Sequence, residues 1–306
     1  MLRYVLAAQA LRAFSINDST KSLYRKFGNL VGSRNRARGL PAHYLARANS
    51  NLRILEERNL IKNGAKVMEI GTGWAHWEAL FIRCFYDVTT IAMDVWDNRQ
   101  FSGFIRFATE LNERLGELDR PPEQVEHARG VLDRVLACAS FEAVYEALSF
   151  RYVLGVEHAY QSIADGTLDL IFSSDVLEHV PASATLGMLQ QHHRMLKPGG
   201  ATAHQIVMTD HLRIYDRSVH PKNYLRYSDR TWQLLFANDV QYINRLQVND
   251  WQRLFLAGGF KVETIVRNTT DLSGLPLAEQ FKSAPTEDLE VAVVSMIGRK
   301  VYGTHE

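Results

Sequence analysis

Two acidic residues, each at the end of an apolar run, could hold a polar ligand. Glu69 precedes the spaced glycines Gly71 and Gly73, and Asp94 ends the apolar run Thr89–Asp94. Glycine lets the backbone approach a ligand closely because a Cβ would block the approach. A carboxylate in the position of Asp94 can accept hydrogen bonds from both hydroxyls of a ribose. These residue types in this order predict a nucleoside pocket.

The elements that must position these residues are two strands and a helix. A branched apolar run that stops at two glycines predicts a buried strand followed by a tight turn. Residues from about Trp74 to Phe85 predict a helix whose free N–H groups face the same spot. In a parallel sheet, ligands bind outside the carboxyl ends of the strands. Val95 and Trp96 follow the second strand and are therefore candidates to pack on a nucleobase, with simple burial as the alternative for Trp96.

The turn itself separates two cofactor classes. A dinucleotide site requires a third glycine, but position 76 is His76, and the charge of Glu69 would oppose a pyrophosphate. The segment instead resembles motif I, E/D-x-G-x-G, of the class I S-adenosylmethionine-dependent methyltransferases. That resemblance implies S-adenosylmethionine as the cofactor, and the cofactor-binding residues implied near the turn are Glu69, Gly71, Thr72, Gly73, Trp74, Asp94, Val95 and Trp96. A nicotinamide-dependent oxidoreductase and a non-catalytic binding protein stay open as alternatives.

Later segments resemble further motifs of the same family. The segment from Ser174 to Pro181 resembles motif IV in its D-V-L-E-H-V form, and Leu196-Lys197-Pro198-Gly199-Gly200 resembles the turn before strand five. The resemblance implies that the backbone at Ser174 and Asp175 meets the amino-acid end of the cofactor. It also implies that Glu157, followed here by His158 in place of the usual alanine, binds the adenine amino group.

The resemblance implies a doubly wound, Rossmann-like α/β fold with seven strands, the seventh antiparallel. We expect a helical extension over residues 1–62, a methyltransferase domain over 63–300 and a tail over 301–306. Within the domain, about 99–149 predicts an inserted pair of helices with a break at Pro121-Pro122. A second insertion, about 209–249, follows strand five on the substrate side.

Three residues near the ends of strands four and five are catalytic candidates. We expect His211 to take the proton of an acceptor hydroxyl and Asp210 to orient the substrate; the alternative is that both cap the following turn. His179 is the other candidate, one helical turn beyond Asp175, with packing against strand five as its alternative. Because methyl transfer from a sulfonium gains most from positioning, a missing base would not exclude the enzyme. No residues have metal-ligand spacing, so no metal is expected.

The second insertion interleaves arginines and aromatic residues, as a segment that recognises a polar acceptor would. Arginine binds phosphate or carboxylate, and the substrate-binding candidates are Arg213, Tyr215, Arg226, Tyr227 and Arg245. A looser likeness to bacterial glycan-modifying methyltransferases favours a sugar hydroxyl of a glycan or glycolipid precursor, anionic or lipid-linked. A small-molecule or lipid hydroxyl is the next choice. The alternative for these residues is packing of the insertion onto the core.

Composition restricts the class of protein. The 306 residues are 46% hydrophobic and 23% charged, with a net charge of +1, which argues against a general nucleic-acid binder. No apolar stretch reaches the roughly 20 residues needed to span a bilayer. We expect Cys84 and Cys138 to be unpaired core residues of a cytoplasmic protein. Residues 1–62 are basic, with one cluster at Lys21, Arg25, Lys26, Arg34, Arg36 and Arg38. This predicts a helical cap or, alternatively, a surface for an anionic partner or a membrane.

Overall fold

A computed structural model describes residues 1–36 and 39–301 of the chain, without the side chains of residues 30, 31 and 33–36. Arg34, Arg36 and Arg38 of the basic cluster therefore lie outside the described side chains. The expected tail at 301–306 is described only at Val301. Among the described residues, no helix combines the length and apolar character that crossing a bilayer requires.

Seven strands form one sheet in the order β3-β2-β1-β4-β5-β7-β6, with β7 antiparallel. The strands are β1 Lys66–Ile70, β2 Thr89–Asp94, β3 Phe150–Leu154, β4 Leu168–Ser174, β5 Leu196–Val207, β6 Lys261–Thr269 and β7 Val291–Arg299. The middle strands are buried on both faces, as their branched apolar runs predict. This confirms the expected doubly wound, Rossmann-like sheet.

The helices account for most of the remaining residues. They are α1 Leu2–Phe14, α2 Asp18–Arg36, α3 Ala42–Glu57, α4 Trp77–Phe85, α5 Phe101–Arg114, α6 Pro122–Leu136, α7 Phe141–Leu148, α8 Val156–Ser162, α9 Ala182–Met195, α10 Asp229–Leu235, α11 Val248–Ala257 and α12 Thr286–Leu289. Single 3₁₀ turns occur at Leu115–Glu117, Leu177–His179, His211–Ile214, Asn223–Arg226 and Glu279–Phe281.

The chain divides into two compact units. The first unit contains Met1–Asn29, Asp175–Gln190 and His204–Gly298. The second unit contains Leu30–Ser174, Gln191–Ala203 and the described residues from Arg299. The grouping thus differs from the expected boundary at residue 62, since α1 and most of α2 belong to the same unit as the insertion after β5.

In the first unit, α1 contributes to a core that the second insertion builds. Tyr4, Ala8 and Leu11 lie on one face of α1 at helical spacing and are buried. They belong to one apolar cluster whose other members include Leu212, Tyr224, Leu225, Trp232, Phe236 and Ile243. The first helix of the N-terminal extension is therefore part of this core, not a peripheral cap.

In the second unit, parallel pairing brings the strand ends to one edge. Ile70 is paired with Met93, and Asp94 with Leu154, so β1, β2 and β3 end side by side. The insertion after β2 contains three helices, α5 to α7, where the sequence predicted two. The break at the paired prolines is present, but Ser140 starts a third helix because its hydroxyl accepts a hydrogen bond from the N–H of Ala143.

Local backbone geometry sets the start of α4, which differs from the predicted one, and the end of β3. Helix α4 begins at Trp77 and not near Trp74, because His76 adopts a left-handed conformation with φ 45° and ψ 42°. Strand β3 ends at Leu154, and Gly155, with φ +90°, turns the chain into α8. Glu157 therefore lies in the first turn of a helix and not in a loop directly after the strand.

Candidate functional site

The turn after β1 is shaped by its two glycines. Gly71 and Gly73 have φ values of +66° and +67°, which side chains with a Cβ rarely adopt. The N–H of Thr72 donates to the carbonyl of Met93, 3.0 Å away, and so ties the turn to the end of β2. A Cβ at Gly73 would meet nothing closer than the Gly71 carbonyl oxygen, at 4.0 Å. The surface beside this turn is therefore open to a ligand.

Asp94 links the turn to the end of β2. Its Oδ2 accepts a hydrogen bond from the N–H of Gly73 at 2.9 Å, and its Oδ1 accepts one from the N–H of Val95 at 2.7 Å. Burial raises the pKa of this carboxyl, while the surrounding N–H groups act in the opposite direction. A carboxylate has about four lone-pair positions, so Asp94 can still accept hydrogen bonds from a ligand hydroxyl.

Glu69 lies beneath the turn and is 3% exposed. Its Oε2 accepts a hydrogen bond from the Thr72 hydroxyl at 2.5 Å. Burial raises the pKa of Glu69 to about 8, although the hydrogen bonds from Thr72 and from the N–H of Ala79 act to lower it. The described contacts of this side chain support the turn from within the protein.

His76 extends the bonds of Glu69 into a chain that sequence reasoning missed. The Thr72 hydroxyl lies 2.9 Å from His76 Nδ1, and His76 Nε2 lies 2.8 Å from the Tyr145 hydroxyl. Arg99 in turn donates to that hydroxyl oxygen at 3.3 Å. If the Tyr145 hydroxyl donates to His76 Nε2, and His76 Nδ1–H donates to the Thr72 oxygen, then the imidazole is neutral and carries its proton on Nδ1. A neutral ring agrees with the pKa of His76, which burial lowers to about 3.

The aromatic candidates near the turn have different environments. The Trp74 ring packs edge-on against Phe107 at 4.8 Å. It also lies on α5 at Gly103, where a Cβ would come within 2.8 Å of the ring. Val95 is 61% exposed, and Trp96 is half-buried. The described surroundings thus leave Val95 the most accessible of these side chains.

The remaining cofactor candidates of the second unit lie at the ends of β3 and β4. Glu157 and His158 are exposed on α8, and Glu157 Oε1 accepts a hydrogen bond from Gln161 at 3.2 Å. Ser174 ends β4, where its Oγ accepts a hydrogen bond from the side-chain amide of Asn51 at 2.9 Å. These contacts position Ser174 but leave Glu157 on the surface.

In the first unit, Asp175 begins the segment that carries the histidine candidates. Its φ of +59° is a strained value for aspartate. Two hydrogen bonds join it to Gln205: its N–H donates to the Gln205 carbonyl at 3.1 Å, and its Oδ1 accepts from the Gln205 amide at 2.7 Å. Asp175 is thereby fixed to β5.

The structure brings His179 and His211 together. Their ring centroids are 4.8 Å apart, although 32 positions separate them in the sequence. His179 Nδ1 lies 2.6 Å from the Tyr242 carbonyl oxygen and therefore carries a proton that it donates there. Burial lowers the pKa of His211 to about 4, so this imidazole is neutral at pH 7. Glu178, which the sequence did not single out, has a carboxylate oxygen close to both rings.

Asp210 has the capping arrangement that the alternative interpretation predicts. Its Oδ1 accepts a hydrogen bond from the N–H of Leu212 at 3.0 Å and so begins the 3₁₀ turn that contains His211. Its Oδ2 accepts a hydrogen bond from the Tyr4 hydroxyl. Asp210 is 2% exposed, and burial raises its pKa to about 6. Asp210 therefore positions His211, and its side chain is too buried to contact a substrate directly.

The five substrate candidates divide between packing and exposure. Arg245 is buried and donates to the carbonyls of Tyr224 and Tyr227, at 2.9 and 2.5 Å. Tyr227 packs against Phe236, with the two rings tilted and their centroids 4.4 Å apart, and Arg213 donates to the carbonyl of Val219 at 3.0 Å. These three side chains hold the insertion together, as the packing alternative predicts. The exposed candidates are Tyr215 and Arg226.

The sheet order, the glycine turn and the acid that ends β2 define the fold of the class I S-adenosylmethionine-dependent methyltransferases. A family model described as "Methyltransferase domain" matches residues 41–265. The chain therefore belongs to this methyltransferase family, which confirms the family expected from the sequence. No curated protein matches the sequence.

Several solved structures, two of them of named methyltransferases, are similar to this chain at low identity. The CurJ carbon methyltransferase is 13% identical, with a TM-score of 0.41 over 79% of this chain and 50% of its own. Phosphoethanolamine N-methyltransferase 2 of Haemonchus contortus, in complex with S-adenosyl-L-methionine, is 14% identical, with a TM-score of 0.47 and coverages of 83% and 53%. The YcgJ protein of Bacillus subtilis is 16% identical, with a TM-score of 0.44 and coverages of 83% and 99%. The chain thus spans about half the length of the first two.

Proposed function

We propose that this protein transfers a methyl group from S-adenosylmethionine to a hydroxyl group, with a sugar hydroxyl of a glycan or glycolipid precursor as the preferred acceptor. The observation that supports it most strongly is the bond between Asp94 and the N–H of Gly73. It joins the glycine turn to the acid that ends β2, which are the two parts of the proposed nucleoside site.

The residues of the second unit fit the cofactor. Asp94 retains acceptor positions for ribose hydroxyls, and the turn beside Gly73 is open. Exposed Val95 can pack on the adenine, while Glu69 adds negative charge below the turn whenever it is ionised. When bound, S-adenosylmethionine supplies an activated methyl group on a sulfonium. The task of these side chains is to hold and orient that group, which can provide most of the acceleration.

The histidine pair of the first unit supports an oxygen acceptor. A neutral His211 can accept the proton that an acceptor hydroxyl loses, and general base catalysis of this kind contributes roughly 10²–10⁴-fold. The burial that keeps His211 neutral also makes it a weak base. His179 can assist by hydrogen bonding the same hydroxyl, because its Nδ1 is already engaged by Tyr242.

Exposed Tyr215 and Arg226 are the side chains we propose for binding the acceptor. An aromatic ring can stack on a sugar, and a guanidinium group can bind a phosphate or carboxylate of an anionic acceptor. Arg213, Tyr227 and Arg245 would act indirectly by fixing the shape of the insertion.

A lipid-linked or lipid acceptor is the second candidate. On α2, Leu23 and Phe27 are 58% and 63% exposed, and the same helix carries Lys21, Arg25 and Lys26. Exposed apolar residues beside basic ones suit a helix that lies on an anionic membrane surface. Sedimentation with anionic vesicles tests this: Phe27→Ala should reduce binding, whereas the exposed change Leu256→Ala should not.

Calorimetry tests the cofactor, and mass spectrometry tests the acceptor. S-adenosylhomocysteine should bind the purified protein in a 1:1 ratio, and NAD should not bind; binding of NAD alone would favour the oxidoreductase. Cell-surface glycans from cells with and without the protein should then differ by one methyl group. If the difference appears in lipids or small molecules, the acceptor proposal is wrong and the methyl transfer is retained.

A further inference from the structure

Three side chains with metal-binding chemistry converge in the first unit. Glu178, His179 and His211 each present one ligand atom, and these three atoms all lie within 4.8 Å of one another. Glu178 is buried, His211 is half-buried and His179 is exposed, so the cluster reaches from the interior to solvent. This set could not be recognised from the sequence, because Glu178 and His179 are adjacent while His211 lies 32 positions after His179.

The turn that carries two of these residues is fixed by Asn244. Its side-chain amide donates to the carbonyls of Leu177 and Val180, at 2.8 and 3.0 Å. Its backbone N–H donates to the carbonyl of Glu178, also at 2.8 Å. Three bonds from one residue hold the backbone of the turn, so Glu178 and His179 are presented in a defined direction. Rigid backbone support is a requirement for a site of fixed geometry.

His179 has the orientation that a metal-binding histidine commonly has. Its Nδ1–H donates to the Tyr242 carbonyl, which leaves the lone pair on Nε2 for an ion. Asp210 plays the corresponding supporting role for His211, because it caps the 3₁₀ turn in which His211 lies. The negative charge of Asp175 acts on both histidines and would favour a cation.

We propose that Glu178, His179 and His211 bind one divalent first-row transition-metal ion. Two imidazole nitrogens and one carboxylate oxygen suit Mn²⁺, Fe²⁺, Co²⁺ or Zn²⁺ better than Mg²⁺ or Ca²⁺, which prefer oxygen ligands alone. With metal–ligand bonds of about 2.1 Å, two ligand atoms on one ion are at most about 4.2 Å apart. A pair at the upper limit of 4.8 Å would need to close by at least about 0.6 Å, which side-chain rotation can supply.

Three protein ligands leave coordination positions open for water or substrate. A metal-bound acceptor oxygen would be oriented and made more acidic, and this consequence rests on the proposed methyl transfer, whereas the binding itself does not. If His211 is a metal ligand, it cannot also be the general base, because a lone pair bound to metal cannot accept a proton. With an ion bound, His211 would therefore act as a ligand and not as the base, and the more acidic acceptor hydroxyl would lose its proton to solvent water.

Metal binding can be measured on the full-length protein without cofactor or acceptor. After chelator treatment, the protein is titrated with Mn²⁺ and the free ion is followed by electron paramagnetic resonance. We expect one Mn²⁺ per chain, and binding at least about tenfold weaker in Glu178→Gln and His211→Ala. His220→Ala is the matched control, since His220 lies in the same unit and its Nε2 is bonded to the Asp271 carbonyl; its binding should be unchanged.

Several outcomes would overturn the proposal. The first is that the parent protein binds neither Mn²⁺ nor, in a parallel calorimetric titration, Zn²⁺ in a 1:1 ratio. Another is equal binding by the parent and the two ligand variants. If Glu178→Gln does not fold, as judged by circular dichroism, His179→Gln provides the same comparison at an exposed position. If the parent protein binds Mn²⁺ but transfers no methyl group, the proposed function is wrong and the proposed metal site is retained.

Discussion

The hydroxyl group of Tyr4 donates a 2.7 Å hydrogen bond to Oδ2 of Asp210, although 206 positions separate the two residues. Both residues are buried, and Asp210 also caps the turn that contains His211. The first helix of the chain therefore helps to hold a candidate catalytic residue that follows β5. The first helix of the extension is thus part of the structure that surrounds this candidate.

Tyr4→Phe should lower the free energy of unfolding by about 1–3 kcal/mol. The substitution leaves one oxygen of a buried carboxyl without its donor, and that desolvation is costly. Urea unfolding measures the change. Leu6→Ala on the same helix is the control, because Leu6 is 59% exposed and surface changes stay within about 0.5 kcal/mol. Equal effects of the two substitutions would contradict the importance of the hydrogen bond.

Tyr145→Phe should destabilise the protein, and Tyr152→Phe should not. The Tyr145 hydroxyl bonds to His76 Nε2 at 2.8 Å, so its loss leaves a buried imidazole nitrogen unsatisfied, at a cost of about 1–3 kcal/mol. The neighbouring Tyr152 hydroxyl is buried and, among the described residues, has no hydrogen-bond partner. Thermal unfolding of both variants makes the comparison, and similar melting temperatures would show that the chain from Arg99 to Glu69 contributes nothing.

Glu69→Gln should change how stability depends on pH. Burial raises the pKa of Glu69 from 4.5 to about 8, so between these values the folded protein keeps a proton that the unfolded chain releases. The free energy of unfolding contributed by Glu69 is thus present at low pH and is lost as the pH rises through this window. Relative to the parent, Glu69→Gln should gain stability between pH 5 and pH 9, by an amount on the order of a few kcal/mol.

Urea unfolding at several pH values makes this comparison. The exposed Glu57→Gln change serves as the control, because Glu57 lies in solvent beside Arg58. If the parent and Glu69→Gln curves run parallel from pH 5 to pH 9, Glu69 is ionised throughout and its bond to Thr72 dominates over burial.

Asp94→Ala should weaken S-adenosylhomocysteine binding by about 1.5–3 kcal/mol, which corresponds to roughly 10- to 150-fold in Kd. The reason is the loss of a charged acceptor for the ribose hydroxyls and of the bond to Gly73. Calorimetry gives the affinity, and Asp119→Ala, an exposed carboxylate bonded to Arg53, is the control. An unchanged Kd for Asp94→Ala would show that Asp94 serves only the protein's own turn.

The sequence was sufficient for the features that depend on neighbouring residues. The glycine turn, the acid that ends β2 and the motif after β4 each lie within a short segment, so they predict the sheet and the family. The bond of Tyr145 to His76 and the meeting of His179 with His211 depend on tertiary packing and could not be predicted. Arg245 shows a second limit of residue type: the sequence suggested substrate binding or packing, and in the structure its guanidinium group donates to the carbonyls of Tyr224 and Tyr227. A charged residue beside aromatic ones fits both roles equally well.

The contact between Trp74 and Gly103 restricts the substitutions that position 103 of the insertion can accept. A Cβ at position 103 would come within 2.8 Å of the indole ring, so even alanine must displace the tryptophan. That ring follows the glycine turn directly in the chain. A substitution at position 103 would thus displace the residue next to the proposed nucleoside site, and an engineer who varies the insertion should leave Gly103 unchanged.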